Sequence, residues 1–247
     1  MYNFFVKSEN KSGNGFRIVD KDFNHIKNVL RMKTGDKILV TCDDKSALCK
    51  IVEISCDAVI TEIIEDNYQD TSLPVEIYLF QGLPKSDKME LIIQKAVELG
   101  VHTIVPVQTI RSVVKLDEKK KDSKCTRWQA ISESAAKQSK RNSIPEVKKV
   151  MSFDNAIEFA KTMDMFLIPY ENALGMTNTK NALTQIKSGM KIGVFIGAEG
   201  GFEEREIEKV LSINGKVISL GKRILRAETA SITALSMLML YCEMNLE

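Results

Sequence analysis

The sequence predicts an α/β protein in two parts: a small β-barrel over residues 1–70 and an α/β domain over residues 74–247. Three observations carry this reading. Short β-rich runs crowd the first 65 residues or so. A polar stretch at 65–72 (EDNYQDTS) then runs up to Pro74 and reads as a linker. From Val75 onward, strand-like runs alternate with helical spacing, the pattern of a mostly parallel sheet covered on both faces.

Taken in order, MYNFFV and GFRIV are short apolar or aromatic runs separated by a Gly/Asn/Ser cluster at 10–15. Asp20 or Asp22 can cap a short helix carrying Phe23, Ile26, Val29 and Leu30. KILVTC, LCKIVEI and AVITEII are strands split by polar turns, and their short regular spacing suggests a barrel. In the second part, VEIYLFQ, HTIVPVQT, DMFLIP, KIGVFIG and KVISLG read as strands. Helical spacing fills 85–99, 126–141, 155–162, 203–211 and 227–243. In such a sheet, ligands bind beyond the carboxyl ends of the strands.

Composition narrows the function. The 44% hydrophobic content is ample for a packed core. No run approaches the ~18 apolar residues of a membrane span, and no secretory signal is visible at the start. Five widely spread cysteines argue against a disulfide framework and favour a reducing, cytoplasmic setting. Two distant histidines and no CxxC pair give no metal pattern, so no metal is expected. GxxxxGK[ST] and GxSxG are both missing, which removes a P-loop NTPase and a hydrolase elbow. The net charge is only +2, yet residues 111–149 hold twelve Lys/Arg against five Asp/Glu. That segment suits phosphate-backbone binding, and equally a solvated lysine-rich helix.

Two stretches carry the chemistry. Ile196, Gly197, Ala198, Glu199, Gly200, Gly201 and Phe202 follow one strand and precede a helix. A glycine-rich turn there lets backbone approach a ligand closely, although the spacing is not GxGxxG. Leu220, Gly221, Lys222, Arg223, Ile224, Leu225, Arg226, Ala227 and Glu228 follow another strand and lead into an apolar helix. An apolar shelf with a few polar groups is how small-molecule pockets are lined. A ligand-free β–α turn and a surface Arg226–Glu228 pair are the plain alternatives, and both stay open.

GAEGGF and LGKRILRAETA together resemble the paired signature of the SPOUT-class RsmE-type enzymes, the 16S ribosomal RNA uridine-N3 methyltransferases. HIKNVLRMKTG at 25–35, KSDKMELIIQKAVELG at 85–100 and RWQAISESAAKQSKRNSIP at 127–145 resemble further family segments in the same order. Two positions depart from the family pattern: Ala198 replaces Pro or Ser, and Ala227 replaces Thr, removing a hydroxyl. The resemblance implies a PUA-like RNA-binding barrel, a SPOUT domain tied in a trefoil knot, a homodimer, and a substrate in the assembled small ribosomal subunit. It implies S-adenosyl-L-methionine held by Ile196, Gly197, Gly200, Gly201, Leu220, Gly221, Ile224 and Leu225. Arg226 would face the uridine, and Glu228 or Glu199 would accept its N3 proton or orient Arg226. Arg31, Lys33, Arg127, Lys137, Lys140 and Arg141 are the candidates for RNA phosphate contacts. The same class acting on another RNA, and a non-catalytic RNA-binding factor, remain rival readings.

Overall fold

The computed structural model describes residues 1–112, 114, 116–170 and 175–246. It divides into two compact units, Met1–Ser72 with Ala136–Ile144, and Leu73–Ala135 with Pro145–Glu247.

The first unit contains β1 (Asn3–Phe5), β2 (Lys11–Ser12), β3 (Gly15–Ile18), α1 (Asp20–Asn24), β4 (Lys37–Cys42), β5 (Lys45–Ile54) and β6 (Val59–Glu65). Its six strands run in the order β1-β4-β5-β6-β3-β2, with β1 parallel to β4 and the other pairs antiparallel. The order leaves β1 and β2 as edges, while two register shifts in β5 bend the sheet around its core. Phe4, Phe16, Ile18, Ile26, Ile38, Val40, Cys49, Ile51 and Val59 form that core. Asp43 and Asp44, both at positive φ, make the tight β4–β5 hairpin. No aspartate side chain caps α1; Val19 holds the cap position, and a π-helical turn at His25–Val29 carries the helix onward. The segment 136–144 joins this unit through buried polar groups. Asn3 donates to the Arg141 carbonyl (3.1 Å), and Asn142 exchanges hydrogen bonds with Thr71.

The second unit contains β7 (Glu76–Gly82), α2 (Lys88–Glu98), β8 (Thr103–Gln108), α3 (Glu118–Ser139), β9 (Glu146–Val147), β10 (Met151–Ser152), α4 (Phe153–Ala160), β11 (Met165–Pro169), α5 (Thr177–Leu183), β12 (Lys191–Ile196), α6 (Glu204–Ser212), β13 (Lys216–Ile218) and α7 (Ala227–Asn245). The last turn of α3 falls in the first unit. The sheet order is β10-β8-β7-β12-β11-β13, with β9 beside β8, and every pair is parallel.

Alternate residues of β7 and β12 are buried on both faces, so helices must cover both sides, as the alternating pattern requires. Tyr78, Phe80, Phe166 and Phe195 pack on one face with Phe153, Ile157, Ile207 and Val210 of α4 and α6. Phe80 and Phe195 stack with centroids 5.6 Å apart. On the other side, α7 packs against α2 and β12. Gly193 is obligatory in this layer, because a Cβ there would stand 2.3 Å from the Phe166 ring. The helix expected over 126–141 begins eight residues earlier, at Glu118, because the lysine run continues the helix on its solvent side. The short α5, β9 and β10 have no counterpart in the sequence reading.

Candidate active site

Strand order creates the site. β11 lies between β12 and β13, so the segments leaving β12 and β13 emerge two strands apart on the same sheet end. Both are at carboxyl ends, where open parallel sheets bind ligands. They enclose a cavity of about 480 Å³. Ile196, Gly197, Glu199, Gly200, Gly201, Leu220, Gly221, Ile224, Leu225 and Arg226 all line it, with Pro169, Tyr170 and Lys88. Two stretches separated by more than fifteen residues in sequence thus form one wall.

The glycine loop is pinned from several sides. Gly201 N–H donates to the Ala198 carbonyl (2.9 Å), closing the turn, and Gly201 has φ +66°. Gln81, wholly buried at the end of β7, donates to the carbonyls of Gly82 (3.0 Å) and Gly197 (3.4 Å). Its Oε1 accepts from Ser231 of α7 at 2.5 Å. A Cβ on Gly82 would stand 2.6 Å from the Ala198 nitrogen, so β7 and the loop touch backbone to backbone. Arg111 donates to the Gly200 carbonyl (3.0 Å) and to Glu203 (2.8 Å). Glu203 and Glu206 form a reciprocal capping box at the start of α6, and Glu206 also accepts from Ile110 N–H at 2.9 Å. The second loop is anchored by Thr179 of α5, which both donates to and accepts from the Ser219 backbone at 2.9 Å.

Charge gathers beside the cavity. Lys88 Nζ lies 3.0 Å from Glu199 and 3.4 Å from Glu228. Burial pushes the Glu199 carboxyl up, but hydrogen bonds from its own N–H, from Lys88 and from Lys85 N–H outweigh it and hold it below the ordinary value. The hydrogen bond to Glu199 raises Lys88, against the opposing effect of burial. Arg226 is exposed on the cavity wall at the N-cap of α7. Glu228 is not among the lining residues; its side chain meets Lys88 instead. Ile224 is 88% exposed, so its side chain reaches outward rather than packing into a shelf.

The proposed RNA contacts differ in exposure and pairing. Arg31 and Lys33 are exposed after the π-helical turn. Arg127 is exposed on α3 and pairs with Glu90 at 2.8 Å. Lys137 is tied to Asp22 at 2.9 Å, and Lys140 is exposed at positive φ. Arg141 is only 7% exposed, and burial draws its pKa down to about 10, so the structure does not offer it to a phosphate. Lys115 of the basic segment lies outside the described residues. Among the described residues, no group of three or more His, Cys, Asp or Glu side chains could hold a metal, and no helix is long and apolar enough to cross a membrane.

The sequence reading gave no role to Lys88, Gln81, Gly82, Arg111 or Thr179. Four of them sit near a strand or helix end, where only strand order could bring them to the loops.

A glycine cradle and an apolar, partly charged wall at the end of a parallel sheet define a small-ligand site in an α/β domain. Residues 71–239 match the RNA methyltransferase domain family and residues 18–64 the RNA methyltransferase PUA domain, and the chain belongs to this RNA methyltransferase family. It is 38% identical over 243 residues to Ribosomal RNA small subunit methyltransferase E of Bacillus subtilis, covering 96% of this chain and 95% of that one. The protein of the same name from Mesomycoplasma hyopneumoniae is 34% identical, with 96% and 98% covered. The Neisseria gonorrhoeae Ribosomal RNA small subunit methyltransferase E, solved bound to S-adenosyl methionine, superposes with TM-score 0.82 at 28% identity over 97% of each chain. A Legionella pneumophila protein solved with bound SAM also gives TM-score 0.82, at 30% identity over 96% of each chain. The RsmE-type resemblance read from the two loop motifs is borne out by these relatives.

Proposed function

We propose that this protein transfers a methyl group from S-adenosyl-L-methionine to N3 of a specific uridine in 16S rRNA of the small ribosomal subunit. The carrying observation is the convergence of the 196–202 and 219–226 segments on one cavity. Its size falls in the ~300–1,000 Å³ range of ligand pockets. The fit to the donor rests on the cradle itself. A Cβ on Gly197 or Gly200 would meet Gly201 (3.1 Å) or Arg111 (2.9 Å), so these positions keep the loop backbone bare and closely packed. Backbone of Gly197, Gly200, Gly201, Leu220 and Leu225 would hold the donor, which supplies an electrophilic methyl on a sulfonium.

The neutral uridine carries a proton on N3, which passes to solvent water before or during attack, while the donor sulfonium that gives up its methyl leaves as a neutral thioether. Arg226, a cation on the cavity wall, stabilises the negative charge that develops on the carbonyls beside N3. Glu199 is a poor proton acceptor, since its pKa is held down. Glu228 is engaged by Lys88 and does not itself line the cavity. The weight of catalysis therefore falls on alignment of two bound reactants, worth up to ~7–11 kcal/mol, and on Arg226. The target base must be turned out of its stack to reach the cavity. Arg31, Lys33, Arg127, Lys137 and Lys140 are the proposed phosphate contacts, and their binding weakens with salt.

The same reading includes a trefoil knot, a homodimer and a cytoplasmic location. Exposed Leu240 and Met244 on α7 support a second copy. The test is methylation in vitro of small subunits lacking the mark, with nuclease mapping of the product. A single N3-methyluridine is expected; no incorporation, or incorporation into a different RNA, would overturn the reading.

A further inference from the structure

Lys88 opens α2 and faces two carboxylates from distant parts of the chain. Glu199 belongs to the glycine loop, and Glu228 to the first turn of α7, just past the second loop. The turn before α2 is shaped for this meeting. Ser86 is held at φ +57°, a left-handed conformation costly for a serine. It lets Lys85 N–H donate to Glu199 Oε1 (3.1 Å) and Oε2 (3.3 Å), while Lys88 Nζ donates to Oε1. Glu228 Oε2 is buried and accepts no hydrogen bond among the described residues, so Lys88 is its compensating charge.

We propose that Lys88 is a positioning residue for methyl transfer, its ammonium tying the glycine loop to the start of α7 so that the donor cavity keeps its shape. This rests on the methyl-donor reading above. One isolated surface pair would contribute little. Here one cation stands between two carboxylates whose side chains are 28% and 17% exposed. Without it, two negative charges face each other across the junction of the loops, and one must take up a proton or move away. The other charged side chains lining the cavity, Lys222, Arg223 and Arg226, lie on the second loop and have no ion pair to either carboxylate among the described residues.

The experiment compares wild type, Lys88→Met and Lys88→Arg. Carboxyl-carbon NMR first titrates Glu199 and Glu228 in the ligand-free protein. Calorimetry with S-adenosyl-L-methionine then follows binding from acid to neutral pH. In Lys88→Met, one carboxylate should titrate at higher pH than in wild type. Donor affinity should fall about tenfold at neutral pH, one pKa unit's equivalent, and recover as a proton replaces the ammonium at lower pH. The loss should appear in KM for the donor, with kcat largely kept, and Lys88→Arg should restore both. An unchanged titration and affinity in Lys88→Met would overturn the proposal. So would a shifted titration with unchanged donor affinity, since the tie would then be purely structural. If wild type binds no donor at all, the donor reading fails, and the titration alone reports whether the tie exists.

Discussion

Gly82→Ala is the sharpest test of how the fold builds the site. Gly82 ends β7, and nothing in its own sequence neighbourhood marks it as special. A methyl added there would lie 2.6 Å from the Ala198 nitrogen, 2.9 Å from the Gly197 carbonyl carbon and 3.2 Å from the Ile196 oxygen. Ordinary contact begins near 3.4 Å, so the loop backbone must retreat by about 0.8 Å. All three obstacles are backbone atoms, and no side chain can rotate away. Overpacking of this kind costs ~1–3 kcal/mol. For a chain of this length each kcal/mol lowers the melting temperature by ~2–4 °C, so a fall of several degrees is expected. Function should suffer more than stability. A displacement approaching 1 Å at a site of aligned reactants can cost ~100-fold in rate. The assay pairs thermal unfolding with calorimetric binding of S-adenosyl-L-methionine and single-turnover methylation. Donor affinity and methylation within twofold of wild type would refute the claim that backbone contact between β7 and the glycine loop shapes the cavity.

Three further outcomes follow from the same geometry. Ser231→Ala removes the hydroxyl that donates to buried Gln81 at 2.5 Å, and a buried polar group left short of its partner costs ~1–3 kcal/mol, read as a lowered denaturation midpoint. Arg226→Ala should cut methylation of small subunits ~100-fold while donor affinity stays within a few-fold, because the side chain serves the reacting base; unchanged turnover would remove that role. Among the cysteines, exposed Cys56 should react fastest with a thiol reagent at neutral pH, while Cys49 and Cys242, whose pKa values burial pushes up to about 11, should react only on unfolding.

The parts legible in the sequence were those governed by local rules. Period-two and period-3.6 patterns mark most strands and helices because burial of one face or both dictates the spacing of apolar residues. The two loop motifs stand out because backbone that must approach a ligand needs glycine at fixed offsets. Short elements such as α5 carry too few residues for a period to show, although Thr179 in α5 anchors the second loop.

What the sequence by itself determined was the kind of each half, the elements that compose them, and the two segments that carry the chemistry. Only tertiary structure decided that β11 separates β12 from β13, which brings those segments to one cavity. It also decided which charges serve. Arg141 reads as a surface cation yet is buried with the first unit, Glu228 pairs with Lys88 rather than lining the cavity, and Lys88 joins the site from a helix over a hundred residues away in sequence. The physical reason is that electrostatics and close packing depend on distance in space, and a parallel sheet reorders its strands so that neighbours in space are not neighbours along the chain.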